Sequence, residues 1–281
     1  MSNELIREPV VAGSFYPGDA SSLTRQIANL FSEAEKPVIN GELVGLVCPH
    51  AGYIYSGHVA AVGYKLLEGM EFDVVAVISP SHVNYFDGVS VYSGSAYTTP
   101  LGKVDIDTEL AEMISTGSNI VFKGEIGHDV SSFRGEHALE VQLPFLQIVL
   151  GKFKLLPLIM GEQKYSTCEG LAEDLYRVLK DKKALIVASS DLSHFHSSRE
   201  ADRLDHVFIE HFEAFNPRAL AQSLDSKECE ACGGGPVISA MIYANKLGSP
   251  YAKALKYADS ASTSGDFSNV VGYLSGAISI E

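Results

Sequence analysis

The chain has 281 residues, 46% hydrophobic and 20% charged, with a formal net charge of −14. That balance fits a folded globular protein and supplies no basic surface for nucleic-acid phosphates or anionic membrane. No apolar run approaches the ~20 residues a membrane helix needs, and residues 1–8 carry no apolar signal core, so a cytoplasmic protein is expected.

Apolar runs alternate with helical periods along the chain, which predicts an α/β fold. Asp19 is placed to cap a helix with Leu23, Ile27, Leu30 and Phe31 on one face. A strand over residues 45–48, a helix over 56–67 and a strand over 74–79 make a βαβ unit. Residues 89–97 read as one strand near an exposed sheet edge, open to pairing. A helix is predicted over 108–115. Residues 136–150 have a helical pattern interrupted by Pro144, which predicts a kink or a late start. Strands over 155–160 and 184–189 flank a helix near 168–179. Leu204, Val207, Phe208, Phe212 and Phe215 form a helical stripe that belongs in the core. A helix over 236–245 and a buried strand over 270–280 complete the chain. No linker, repeat or low-complexity block divides it, so one domain over residues 1–281 is expected. Its layers should be helix, sheet, helix, with a mostly parallel central sheet.

Three of the strand-like runs end in histidine: Cys48-Pro49-His50, Ser79-Pro80-Ser81-His82, and Ser189-Ser190-Asp191-Leu192-Ser193-His194. Ligands gather at the carboxyl ends of such strands. Imidazole is both a common metal ligand and a proton carrier. His50 and His82 follow successive strands of one βαβ unit, so their side chains can converge. A third ligand is then needed, and Cys232 in Cys229-Glu230-Ala231-Cys232-Gly233-Gly234-Gly235-Pro236 is the best candidate. A glycine turn before a helix sets its thiol near a helix N-terminus, which favours the thiolate. In a reducing compartment the four cysteines Cys48, Cys168, Cys229 and Cys232 point to burial, metal binding or catalysis rather than disulfides. Only Cys229 and Cys232 have Cys-x-x-Cys spacing, and with no second pair a four-cysteine zinc site is excluded.

Asp191 and His194 could form a base with its orienting carboxylate, or His194 could donate a proton from outside the ligand set, a role His196 could share. A Ser–His–Asp hydrolase using Ser81 or Ser193 is a weaker alternative, because no Gly-x-Ser-x-Gly elbow is present. On a helix, Glu136 and Glu140 would share a face, with His137 and Gln142 elsewhere, and the cluster reads either as a solvated first turn or as pocket lining. Arg134 is a candidate anion ligand. No glycine fingerprint for a nicotinamide cofactor is found.

Taken together and in order, Ala12-Gly13-Ser14-Phe15-Tyr16-Pro17, Pro49-His50-Ala51-Gly52-Tyr53-Ile54-Tyr55-Ser56-Gly57, Ser81-His82, Glu136-His137-Ala138-Leu139-Glu140-Val141-Gln142, Ser190-Asp191-Leu192-Ser193-His194 and Cys232-Gly233-Gly234-Gly235-Pro236 resemble the Memo family. Its microbial members are also called AmmeMemoRadiSam system protein B. The resemblance implies a fold related to the class III extradiol dioxygenases, the LigB-like non-haem iron enzymes. It implies His50 and His82 as metal ligands and His194 as the catalytic histidine, with Asp191 beside it. Cys232 stands where those dioxygenases place a glutamate, a departure that argues against simple ring cleavage. Iron is the leading metal, and a soft thiolate admits copper or zinc. The resemblance also implies a redox role and, in microbes, radical-SAM and Ammecr-type partner proteins. In animals, family members resemble partners of phosphotyrosine-bearing receptor tails.

Three functions follow: an oxygen-dependent or redox metalloenzyme, a non-catalytic binding module for a protein or anionic peptide, and a zinc-dependent hydrolase.

Overall fold

The computed structural model describes residues 5–128 and 135–281. Its strands are Ile6–Arg7 (β1), Glu42–Cys48 (β2), Val74–Pro80 (β3), Val89–Tyr92 (β4), Ala96–Thr99 (β5), Gly102–Asp105 (β6), Val121–Gly124 (β7), Leu155–Met160 (β8), Ala184–Ser189 (β9), Asp191–His196 (β10), Pro250–Asp259 (β11) and Val270–Ile280 (β12). Its helices are Ala20–Glu33 (α1), Tyr53–Lys65 (α2), Thr108–Ser115 (α3), Leu143–Leu150 (α4), Tyr165–Leu179 (α5), Ser198–Glu213 (α6), Pro217–Asp225 (α7), Gly234–Leu247 (α8) and Ala261–Ser264 (α9). No helix among the described residues is long and apolar enough to cross a membrane.

Apolar runs with no polar alternation must be covered on both faces, and here they form the centre of the sheet. β2, β9, β3 and β8 lie side by side and parallel, with Val47 opposite Ala188, Ala76 opposite Ile186 and Val77 opposite Pro157. Helix α8 packs across β2, β3, β9 and β12, backed by α5 and α7. Helix α2 packs on β2, β11 and β12, backed by α1 and α4. The result is the expected helix–sheet–helix arrangement. The parallel centre gains antiparallel neighbours: β12 pairs with β2 on one side, and β4 pairs with β8 on the other. β12 also carries β10 beside β2 and β11 along its opposite edge.

Local signals act where expected. Asp19 accepts a hydrogen bond from Ser22 N at 2.9 Å and starts α1. Pro144 delays α4: a 3₁₀ turn, Glu140–Gln142, precedes it and the proline sits in the first helical turn.

Residues 89–97 depart from the expectation of one strand near an exposed edge. β4 is buried between β8 and β7, and β5 belongs to a separate three-stranded sheet with β1 and β6. The break falls at Gly94, where a Cβ would collide with Leu5 O and the Tyr92 ring. Apolar alternation cannot reveal that one run serves two sheets.

The strand order 2-9-3 matters most for function. The crossover from β2 to β3 skips one position, and β9 fills it. Three adjacent parallel strands therefore deliver His50, Asp191 and His82, each two residues past its strand, to one edge of the sheet.

Candidate metal centre

β2 ends before Pro49, which has no N–H to extend a ladder. His50 follows, 2% exposed, and its N–H donates to Asp191 Oδ1 at 2.8 Å. Its Nδ1 lies 2.8 Å from Ser189 Oγ and its Nε2 lies 3.1 Å from Cys232 Sγ. Burial holds the imidazole well below its usual pKa, so the ring is neutral.

His82 is held by Glu136. Its backbone N–H donates to Oε2 at 2.5 Å, and its Nδ1 lies 3.1 Å from Oε1. Burial would raise the Glu136 pKa, but the bonds from His82 outweigh it and hold the carboxyl at about 2. Burial likewise opposes the charged form of His82, yet Glu136 keeps its pKa above the usual value. The carboxylate fixes the Nδ1 hydrogen and leaves Nε2 as the available lone pair.

Cys232 arrives on the turn before α8. Gln163 Nε2 donates to Cys232 O at 2.8 Å, and Gly235 N donates back to Gln163 Oε1 at 2.8 Å. Gly233 N donates to Ser190 Oγ at 2.9 Å, and a Cβ at Gly233 would collide with Ser189 O. Glycine is required there because the turn lies directly on the end of β9. Asp191 N donates to Sγ at 3.3 Å. One expectation is corrected here: the thiol pKa is raised, not lowered. Burial is the larger cause, and the neighbouring Asp191 carboxylate adds to it. Desolvation of an anion outweighs the helix N-terminus in the metal-free protein.

The ligand atoms of His50, His82 and Cys232 all lie within 4.8 Å of one another. Ligands of a tetrahedral ion sit about 3.3–3.6 Å apart at ordinary metal–nitrogen and metal–sulfur bond lengths. The donor set therefore fits a transition metal after a small closure of the side chains.

His137, from the polar cluster that the sequence leaves open between solvent and pocket lining, joins the two histidines. Its ring stacks on His82 with centroids 4.8 Å apart and also meets His50 at 5.5 Å. Phe15 covers it at 4.8 Å, and burial lowers its pKa to about 4. His82, Glu136 and His137 form a second group with metal-ligand spacing. Glu136, however, already accepts from His82 N, His82 Nδ1, His137 N and Ala138 N. A carboxylate so engaged orients its histidine rather than binding the ion itself. Residues 136–139 are not helical, so Glu136 and Glu140 do not share the helical face expected of them.

β10 separates the remaining candidates. Phe195 takes a left-handed φ of 63° and the register shifts on both sides of His194, so His194 and His196 meet different partners despite their i, i+2 spacing. His196 Nε2 bonds Glu230 at 3.0 Å. His194 lines a cavity of about 460 Å³ with Cys232, Leu192, Tyr165, Glu230 and Ile238. Its Nδ1 lies 2.8 Å from Leu192 O, which can only accept, so Nδ1 carries the hydrogen. Asp191 is engaged by the backbone of His50, not by the His194 ring. Burial lifts its pKa to about 6, against hydrogen bonds from His50 and Ala51. Ser81 Oγ accepts from Asn84 N, and Ser193 Oγ has no hydrogen-bond partner among the described residues, so neither is paired with histidine as a triad requires. Arg134 lies outside the described residues.

A family model for Memo-like proteins matches residues 7–277. The chain belongs to the Memo family. It is 38% identical over 271 residues to a MEMO1 family protein of Methanosarcina mazei, covering 95% of this chain and 97% of that protein. A MEMO1 family protein of Methanobrevibacter smithii is 34% identical over 284 residues, covering 97% and 99%. One from Sulfolobus acidocaldarius is 36% identical over 288 residues, covering 96% and 98%. Among solved structures, the uncharacterized protein JW3007 of Escherichia coli K12 aligns with a TM-score of 0.51 at 12% identity, over 85% of this chain and all of that one. That likeness concerns the fold alone.

Proposed function

We propose that this Memo-family chain binds one transition-metal ion through His50, His82 and Cys232 and serves redox or oxygen-dependent chemistry there, with iron the leading ion and copper the alternative; zinc at the same residues would serve hydrolysis instead. The observation that carries the reading is the convergence of the three ligand atoms within 4.8 Å, with the far nitrogen of each histidine tied to Ser189 or Glu136. Three protein ligands leave positions for exogenous groups, and two imidazoles with one anion resemble the ligand count of non-haem iron sites. When bound, the ion would supply Lewis acidity and, for iron or copper, one-electron chemistry.

The chain's own residues do the rest. His194 stands on the cavity wall beside Cys232 with its Nδ1 hydrogen held by Leu192 O, so its Nε2 is the atom that accepts or returns a proton. Asp191 fixes the approach of both the His50 loop and the Cys232 loop, through His50 N and its own backbone bonds to Cys232. Phe15 packs on His137, which in turn stacks on His82 and orders the histidine side of the centre.

The test is metal content per chain after anaerobic purification without a metal affinity column, for wild type and Cys232→Ala together. Near-stoichiometric iron or copper, lost in the variant, supports the redox reading. Zinc lost in the variant favours hydrolysis. No metal in either protein, and none taken up on titration, overturns the metal centre and leaves a binding module.

A further inference from the structure

Gln142, Ser189 and Tyr64 are fully buried beside His50. Their hydrogen bonds can be followed donor by donor. Gln142 Nε2 lies 3.1 Å from Pro49 O and 2.7 Å from Ser189 Oγ, while its Oε1 lies 2.7 Å from Tyr64 Oη. A peptide carbonyl only accepts, so the amide nitrogen must face Pro49 and the amide cannot be flipped. Tyr64 then donates to Oε1, and the second amide hydrogen goes to Ser189. Ser189 Oγ also lies 2.7 Å from Ala138 O, another pure acceptor. The single hydroxyl hydrogen is used there. Oγ has two lone pairs left: one takes the Gln142 hydrogen, and the other faces His50 Nδ1 at 2.8 Å. His50 Nδ1 must therefore be the protonated nitrogen.

We infer that Ser189 and Gln142 are positioning residues that hold the His50 hydrogen on Nδ1, so that Nε2 is the atom facing His82 and Cys232. A free neutral imidazole exchanges its hydrogen between both nitrogens, and only one form can ligate through Nε2. The lock removes that ambiguity before any metal arrives. It also makes the two histidines unequal. His82 is backed by a carboxylate, which raises ligand basicity, whereas His50 is backed by a neutral hydroxyl.

The significance of the lock rests on the metal-centre reading, but the tautomer is a property of the metal-free chain and can be tested apart from it. The experiment is a two-bond ¹H–¹⁵N correlation spectrum of the full chain labelled at histidine, metal-free, paired with a Co(II) titration read by thiolate-to-metal absorption. Wild type should show His50 protonated at Nδ1. Ser189→Ala should show both tautomers at His50 and bind Co(II) about 10–100-fold more weakly. His50 protonated at Nε2 in wild type overturns the inference, as does a Ser189→Ala protein with a pure Nδ1–H form and unchanged affinity. A wild type that shows the lock but takes up no Co(II) leaves the lock standing and removes the metal reading. If Ser189→Ala does not fold, the wild-type spectrum decides alone.

Discussion

Arg7 and Glu140, 133 positions apart in the chain, form a fully buried ion pair 2.6 Å long. Arg7 also donates to His128 O and Glu136 O, and its guanidinium lies 4.8 Å from the centre of the Tyr97 ring. Glu140 accepts in addition from Val10 N, Val11 N and Tyr16 Oη. The pair thus fastens the N-terminal segment, including the Phe15 that covers His137, to the residues around Glu136. Removing one partner strands a buried charge, which costs about 3–5 kcal/mol. Arg7→Met should lower stability by that amount in urea unfolding. It should also weaken metal retention, because Glu136 loses a backbone anchor.

Much of this was legible beforehand, and the failures have identifiable causes. Buried parallel strands announce themselves as unbroken apolar runs, and β8, β9 and β12 begin and end where the sequence places them. The convergence candidates His50, His82 and Cys232 were findable because each follows a strand or precedes a helix at a glycine or proline turn. Glu136, His137 and Gln142 were visible only as a polar cluster without roles, since a helical wheel assumes a helix and residues 136–139 form none. Which strand fills the place between β2 and β3 is a long-range choice that no local pattern encodes. The raised thiol pKa of Cys232 likewise depends on burial and on Asp191, which lies 41 positions away in sequence.

Glu136→Gln tests the support of His82. The amide keeps the shape of the side chain but brings no negative charge to the Nδ1 hydrogen and sets an NH₂ among four N–H donors. Metal affinity measured by competition with a chelator should fall about 10–100-fold. Unchanged affinity would show that the carboxylate does not tune the ligand.

His128 should make stability depend on acidity. Burial pushes its pKa from 6.5 down to about 3, and its Nε2 bonds Ser90 O at 3.2 Å while Tyr97 Oη bonds Nδ1. Below about pH 6.5 the unfolded chain binds a proton at this site that the folded chain refuses until about pH 3. Its contribution to stability is therefore complete above pH 6.5 and is lost as pH falls through that window, at up to ~1.4 kcal/mol per pH unit. His128→Gln should reduce the slope of unfolding free energy against pH by up to about one proton between pH 4 and 6. His137, whose pKa is lowered to about 4, acts in the same direction and will keep part of the slope.

Metal uptake should release a proton from Cys232. In the metal-free chain Sγ accepts from Asp191 N at 3.3 Å, and its own hydrogen has His50 Nε2 as acceptor at 3.1 Å. Burial and the Asp191 carboxylate keep the thiol protonated at neutral pH. A metal ion binds the thiolate, and it needs the His50 lone pair that the S–H occupies, so binding must displace that hydrogen. Titrating Zn(II) into weakly buffered protein with a pH indicator should release at least the one thiol proton per ion at pH 8. Cys232→Ser should bind far more weakly and release less, since a hydroxyl resists deprotonation more than a thiol. A serine variant that releases as many protons as wild type and binds as tightly would place their origin elsewhere in the site and would remove Cys232 from the proposed ligand set.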